Sequence, residues 1–169
     1  QIIQDDSETA EPGILQRVKA EFGPSELNTD ELRGLCSNLV LAGTDTVTNL
    51  IGNGVVLLAR HNEARRLLVR FPQGIASAVE EMLRFDSPVQ SLARRVTRDI
   101  TLHGVLIPKG AEIRLQWGAA NRDDREFDEP DSFLIERRTR RSLALGHGRH
   151  FCLGAGLARL EARIAFEEL

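Results

Sequence analysis

Hydrophobic residues recur at helical spacing over much of the chain and follow a strand-like alternation only near its middle. The longest helical pattern runs from about residue 29 to about residue 60. Asn28, followed three residues later by Glu31, is the capping-box signature that begins a helix. A helix of that length, at about 1.5 Å per residue, spans most of a small domain. Its apolar positions are Leu32, Leu35, Leu39, Leu50, Val55 and Leu58.

Shorter stretches with the same spacing predict further helices on both sides of the middle. An apolar stripe through Ile14 and Val18 predicts a short first helix. The others cover residues 64–70, 74–85 and 152–169. Together with the long helix, these segments account for most of the regular structure that we expect.

The middle of the chain carries strand signals. Alternation over residues 91–117, broken by a turn at His103 and Gly104, predicts a small sheet. Residues 121–144 are polar and rich in Asp, Pro and Arg, which predicts a long irregular segment. The expected fold class is therefore mainly α with small β-sheets.

Composition and charge exclude several classes of protein. The chain has 169 residues, 41% of them hydrophobic, which is enough for one buried core. Its 22 basic and 25 acidic residues give a net charge of -3, so we expect no nucleic-acid partner. No apolar stretch is long enough to span a membrane, and two cysteines favour a reducing compartment. We therefore expect a cytoplasmic protein without a membrane partner.

The ends of the chain indicate a piece of a longer protein. The sequence opens without Met and stops at Leu169 inside an amphipathic pattern. No helix-terminating Gly, Asn or Pro follows that pattern.

One of the two cysteines, Cys152, follows a glycine-rich loop at residues 145–154. A thiol at the start of a helix ionises easily, because backbone N–H groups and the helix dipole favour negative charge there. Gly146 and Gly148 allow tight turns and a close approach of the backbone to a large flat ligand, and Gly154 leaves the start of the helix open for the same reason. The loop reads Leu-Gly-His-Gly-Arg-His-Phe-Cys-Leu-Gly.

Other interpretations of this cysteine are weaker. A free thiol beside a turn is commonly a buried structural residue, which is the structural alternative for Cys152, and Cys36 is expected to be an inert core thiol. His147, His150 and Cys152 suggest zinc, but a fourth ligand at suitable spacing is missing. A covalent c-type haem is not expected, since no Cys-x-x-Cys-His string occurs.

A polar interruption lies at the centre of the long helix. Gly43 weakens the helix, and Asp45 and Thr46 place polar groups within an apolar run. One explanation is structural: a threonine side chain bonds back to a carbonyl and bends the helix. The segment reads Ala42-Gly43-Thr44-Asp45-Thr46.

Both segments resemble motifs of the cytochrome P450 superfamily. The cysteine loop is similar to Phe-Gly-x-Gly-x-His-x-Cys-x-Gly and matches five of its six fixed positions, with Leu145 in place of the aromatic residue. The helix segment is similar to Ala/Gly-Gly-x-Asp/Glu-Thr, matched at Ala42, Gly43, Asp45 and Thr46. The resemblance implies the carboxy-terminal half of a cytochrome P450 fold, as one partial domain over residues 1–169.

The resemblance also implies a function. Haem b would be bound with the Cys152 thiolate as its axial metal ligand, beside Gly148, His150 and Gly154. Thr46 would hydrogen-bond the dioxygen and Asp45 would help to relay protons. The expected reaction inserts one oxygen atom of dioxygen into a small organic substrate, with electrons from a ferredoxin or flavodoxin-like donor. The alternatives are a truncated, non-catalytic fragment and a haem-binding module without turnover.

A second pair of motifs resembles structural features of the family. Glu81 and Arg84 match its Glu-x-x-Arg helix, although such pairs are commonly exposed and weak. The family often adds an arginine within Pro-x-Arg-Phe, where this chain has Ser132. We therefore expect either a weaker lock or a substitute residue.

The remaining assignments rest on the same resemblance. Arg94, with Arg95 as the alternative, is expected to contact a haem propionate, and His150 is a second candidate. The residues expected to face the substrate are Ala42, Gly43, Val89 and Gln90.

Basic residues before and within the cysteine loop are expected to attract an acidic electron donor. The structural alternative is an ordinary solvated surface. The residues are Arg137, Arg138, Arg140, Arg141 and Arg149.

Overall fold

A computed structural model describes residues 13–22, 27–139 and 141–169. The chain forms two compact units, residues 1–42 and residues 43–169. The predicted class, mainly α with small β-sheets, is confirmed. The helices are α1 (Ile14–Glu21), α2 (Thr29–Arg60), α3 (Asn62–Arg70), α4 (Ile75–Phe85), α5 (Trp117–Ala120) and α6 (Ala155–Glu168). The strands are β1 (Ser91–Arg95), β2 (Ile100–Leu102), β3 (Val105–Ile107) and β4 (Glu112–Gln116).

The long helix α2 begins with the predicted capping box. Asn28 Oδ1 accepts hydrogen bonds from the backbone N–H groups of Asp30 and Glu31, at 2.9 and 3.0 Å. Glu31 Oε2 accepts one from the Asn28 backbone N–H at 2.8 Å. These bonds satisfy donors that the first turn leaves without intrahelical partners, and the two acidic side chains favour the positive end of the helix dipole.

The strands form two antiparallel ladders instead of the single small sheet predicted. β1 pairs with β4, from Ser91 opposite Gln116 to Arg95 opposite Glu112. β2 and β3 form a hairpin of three residue pairs. The predicted turn between them is confirmed: His103 and Gly104 both have positive φ, 49° and 81°, as a two-residue turn of the twisted hairpin type requires.

The core of the second unit brings together the second half of α2 with α3, α4 and α6. α4 contributes most, with Val79 and Met82 at 1% and 0% exposure. Gly54 of α2 allows the close approach, since a Cβ there would lie 2.7 Å from Met82 Sδ and would also meet Phe166. The buried cluster consists of Leu50, Leu57, Ala64, Leu68, Ile75, Ala78, Val79, Met82, Leu83, Phe133, Ile135, Ala144, Ala162 and Phe166.

Three helix starts and one short element differ from the prediction. α3 begins at Asn62 and not at residue 64, and α4 begins at Ile75 and not at residue 74. The last helix begins at Ala155 and not at residue 152. Cys152 precedes it in a turn, and the Cys152 carbonyl accepts a hydrogen bond from the Ala155 N–H at 3.3 Å. The short helix α5 follows β4 directly and was not predicted, since four residues carry too little periodicity. Within the described residues, no helix combines the length and the apolar character needed to cross a membrane.

Candidate functional site

The backbone on both sides of Cys152 is held by hydrogen bonds. Its N–H donates to the carbonyl of Leu145 at 2.8 Å, which closes the glycine-rich loop on itself. The side chain is half-buried and stands just before the N-cap residue of α6, Gly154. The loop therefore presents one thiol at its closed end.

Two glycines shape this loop through positive φ angles. Gly146 has φ 76°, and a Cβ there would lie 3.0 Å from the carbonyl oxygen of His150. Gly148 has φ 64° and begins a short 3₁₀ turn, Gly148–His150. An L side chain at either position is strained, and at Gly146 it also presses on the backbone just before the cysteine.

The surroundings of Cys152 suit a large apolar ligand better than a bare ion. Phe151, Leu153 and Leu157 are 49%, 93% and 60% exposed. A Cβ on Gly148 or Gly154 would meet no atom within 4 Å, so the space beside the loop is open. In the described part of the chain no group of three or more His, Cys, Asp or Glu side chains is placed to hold a metal ion.

One charged side chain, Arg159, interacts electrostatically with Cys152. Arg159 of α6 donates to both carboxylate oxygens of Glu80, from Nε at 2.5 Å and from Nη2 at 3.1 Å. The hydrogen bond to Glu80 raises the pKa of Arg159, burial opposes the rise, and the charges of Glu80 and Cys152 add to it. The pair joins α4 to α6 and places a guanidinium within electrostatic reach of the thiol. Sequence analysis did not identify this pair, whose members lie 79 residues apart.

Glu81 and Arg84 form a completely buried ion pair. Both side chains are 0% exposed, with two hydrogen bonds of 2.7 and 2.8 Å between them. The burial excludes the alternative of a weak, exposed pair, which sequence analysis set beside the structural role expected for Glu81 and Arg84. Arg84 also donates to the carbonyls of Asn121, Pro130 and Ser132, at 2.8, 2.9 and 3.2 Å. The pair fastens α4 to the irregular segment that leads to the cysteine loop.

Arg137 supplies the third member of this lock. Its Nε donates to Glu81 Oε1 at 3.2 Å, and its side chain is only 9% exposed. Ser132 contributes its backbone carbonyl, which accepts from Arg137 Nη2 at 3.2 Å. The expectation of either a weaker lock or a substitute residue is resolved in favour of a substitute.

The basic cluster expected around the cysteine loop is smaller than predicted. Arg137 does not belong to it, because its guanidinium is used in the buried lock. Arg141 is exposed but bonds to Glu126 at 2.8 Å, and Arg140 lies outside the described residues. Arg138 and Arg149 are exposed. A cavity of about 720 Å³ is lined by residues of this region, including Arg138, Thr139, Ser142, Phe151 and Arg159.

The predicted catalytic pair lies in the middle of α2, within the second unit. Asp45 is exposed and Thr46 is half-buried. A Cβ on Gly43 would meet nothing within 4 Å, and Ala42 is exposed. The roles expected for these four residues remain predictions.

The other predicted residues lie around β1. Gln90 Nε2 donates to the Ser87 carbonyl at 2.7 Å, and its side chain occupies the space where a Cβ on Gly118 would stand. Val89 is half-buried. Arg94 lies opposite Ile113 and donates to the carbonyl of Ala93 at 2.8 Å. Contacts of Val89 and Gln90 with a substrate, and of Arg94 with a propionate, remain predictions.

Comparison with known proteins agrees with this geometry. The family profile described as "Cytochrome P450" matches residues 75–169, which include α4, the irregular segment and the cysteine loop. Vitamin D(3) 25-hydroxylase of Pseudonocardia autotrophica is 49% identical over 156 residues, covering 92% of this chain and 38% of the relative. Cytochrome P450 130 of Mycobacterium tuberculosis is 41% identical over 167 residues, covering 96% and 41%.

Solved structures give the same result. P450BioI, crystallised with an acyl carrier protein ligated to hexadec-9Z-enoic acid, superposes with a TM-score of 0.91 at 40% identity, covering 99% of this chain and 43% of the other. CYP109E1 of Bacillus megaterium with corticosterone superposes with a TM-score of 0.85 at 37% identity, covering 94% and 44%.

These matches show that the chain has part of the cytochrome P450 fold. The chain belongs to the cytochrome P450 family. It spans 38–41% of the length of the two relatives described above.

Proposed function

We propose that this chain forms the haem-ligating part of a monooxygenase, with Cys152 as the protein ligand of the iron. The observation that carries the proposal is the closed loop that presents a single half-buried thiol beside open space and exposed apolar side chains. The family to which the chain belongs supports the same assignment.

The residues around the cysteine fit the cofactor. Gly148 and Gly154 leave room for a flat macrocycle, and Phe151 and Leu153 offer it apolar surface. Arg94 and His150 are the candidates to bond its propionates, since charge-assisted bonds to carboxylates are the strong ones. When bound, a thiolate-ligated haem supplies the activation of dioxygen and the electron density that favours O–O cleavage.

Asp45 and Thr46 are proposed to deliver protons to dioxygen. The Thr46 hydroxyl would donate a hydrogen bond to dioxygen, and the exposed Asp45 carboxylate would exchange protons with water. A side chain that contacts solvent suits such a relay, because each turnover consumes protons from outside the site.

An external protein is proposed to supply the electrons. Arg138 and Arg149 remain exposed in the region of the cysteine loop, where a positive surface would attract an acidic ferredoxin or flavodoxin-like donor. Arg159 borders the same cavity as Arg138 and adds positive charge, although Glu80 offsets part of it.

The substrate is proposed to be a small organic molecule, with Gly43, Val89 and Gln90 facing it. The names of the similar proteins support this class, since they refer to vitamin D(3), corticosterone and a carrier-linked fatty acid. Corticosterone and hexadec-9Z-enoic acid are therefore suitable first probes.

The experiment uses isotopically labelled dioxygen and the haem-loaded protein that contains this chain. We expect one labelled oxygen atom in a probe product when electrons are supplied. Thr46→Ala is expected to lower product formation on the order of 100-fold while dioxygen consumption continues, because proton delivery fails. Thr48→Ala, an exposed site two residues along the same helix, is the matched control and should retain activity. The proposal would be contradicted if the haem-loaded protein, supplied with electrons, consumed no dioxygen and placed no labelled oxygen in either probe.

A further inference from the structure

Asn121, the residue that follows α5, is a buried amide that connects two distant parts of the chain. It is 0% exposed. Its Nδ2 donates to Ser87 Oγ at 3.0 Å, just beyond the end of α4. Its Oδ1 accepts the Leu143 backbone N–H at 2.7 Å and lies 3.5 Å from the Ser142 hydroxyl. One side chain therefore uses both ends of its amide to hold the entry to the cysteine loop against α4.

The connection continues from Leu143 to the thiol through backbone bonds. The Leu143 carbonyl accepts the Gly146 N–H at 2.9 Å. Two residues after Leu143, the Leu145 carbonyl accepts the Cys152 N–H at 2.8 Å. The peptide group that Asn121 fixes is thus the first in a short series that ends at the backbone of Cys152.

The other end of the connection is rigid. Ser87 Oγ donates to the Leu83 carbonyl at 2.7 Å, in the last turn of α4. The backbone carbonyl of Asn121 accepts from Arg84 Nη1 at 2.8 Å, which ties the residue to the buried ion pair. A side chain held this way transmits the position of α4 to the loop.

We propose that Asn121 is a positioning residue for the Cys152 sulfur. It acts through Leu143 and Leu145, and it fixes where the closed loop sits relative to α4. The inference rests on the proposed function, in which Cys152 binds the haem iron. A ligand must be held within about 0.5 Å of its productive position, and outer partners that orient ligands commonly contribute 10- to 100-fold to metal affinity.

If Asn121 had only a structural role, its substitution would affect the haem spectrum and haem retention no more than substitution of Ser87. The test compares the two. Ser87→Ala removes the acceptor of the Asn121 Nδ2 bond and leaves intact the bond that the Leu143 N–H donates to Oδ1. Asn121→Leu is similar in size and removes both. Asn121→Asp retains an acceptor for the Leu143 N–H. The readouts are the Soret band of the reduced, carbon-monoxide-bound haem protein and the rate of haem loss to an external acceptor.

We expect Ser87→Ala and Asn121→Asp to keep the thiolate-type band in their folded fraction. Asn121→Leu is expected to lose most of that band and to bind haem about tenfold less tightly. Asn121→Ser, whose side chain is too short to reach both partners, replaces it if the leucine variant does not fold. The inference would be overturned if Asn121→Leu or Asn121→Ser kept the thiolate-type band and retained haem as well as Ser87→Ala does. A parent protein without the band would instead contradict the proposed function itself.

Discussion

Arg137 Nε lies 3.2 Å from Oε1 of Glu81, 56 residues earlier in the chain, and so completes the buried ion pair that Glu81 forms with Arg84. Arg137 Nη2 also donates to the carbonyls of Glu129 and Ser132, at 2.8 and 3.2 Å. Arg137 therefore helps to hold the irregular segment by donating to the Glu81 carboxylate and to several backbone carbonyls.

Arg137→Ala should lower the free energy of unfolding by about 1–3 kcal/mol, because a buried carboxylate and the carbonyls of Asp128, Glu129 and Ser132 each lose a donor. Denaturation by urea measures the change. Arg138→Ala, at an exposed neighbouring position, should stay within about 0.5 kcal/mol of the parent. Equal effects of the two substitutions would show that the Arg137 bond to Glu81 contributes nothing beyond surface charge.

Gly54→Ala should destabilise the protein by about 1–3 kcal/mol, because the added methyl group enters the contact between α2, Met82 and Phe166. Gly52→Ala on the same helix meets no atom within 4 Å and should stabilise it by about 0.5–1 kcal/mol through helix propensity. Thermal unfolding of the pair gives shifts of opposite sign. If both glycines respond alike, the close packing at Gly54 is incorrect.

Gly146→Ala should disturb the cysteine loop. The alanine must adopt a left-handed φ of 76° and press on the His150 carbonyl, with a strain on the order of 1–3 kcal/mol. We expect haem to be lost faster from this variant. Gly156→Ala lies on α6 with nothing within 4 Å and serves as the control. Parent-like haem retention in Gly146→Ala would mean that the loop tolerates a side chain there.

Arg149→Glu should slow electron transfer from an acidic donor at low ionic strength, since it reverses an exposed charge beside Cys152. The effect should shrink as salt is added, because exposed charges are screened. Arg125→Glu, in the polar segment before Arg137, reverses a charge that already pairs with Asp123 at 2.5 Å and is the control. Reduction kinetics that are the same for both variants at every salt concentration would place the donor elsewhere.

The sequence predicted features that rest on local chemistry. The capping box at Asn28, the turn at His103 and Gly104, and the glycine-rich approach to Cys152 each depend on residues close together in the chain. Local propensity decides such features, and the structure contains all three. The carboxy-terminal cytochrome P450 fold followed from the motifs and is confirmed.

Features that depend on long-range contacts were not predictable in the same way. Sequence analysis placed Arg137 in a run of basic residues, because nothing in the adjacent sequence indicates Glu81 as its partner. Asn121 was not singled out, since a lone amide in a polar segment has no distinguishing pattern. Arg159 lies at an ordinary position of an amphipathic helix, and its pairing with Glu80 follows only from the packing of α6 on α4.

The bond between Cys152 and iron is tested most directly by the absorption spectrum of the reduced, carbon-monoxide-bound protein. We expect a thiolate-type Soret band in the haem-loaded parent and in the control Cys36→Ser, which lacks the other cysteine. Cys152→Ser should lose that band, because a serine hydroxyl ionises far less readily than a thiol and supplies no thiolate to the iron. A thiolate-type band that persists in Cys152→Ser, or a parent that never shows one, would contradict the account.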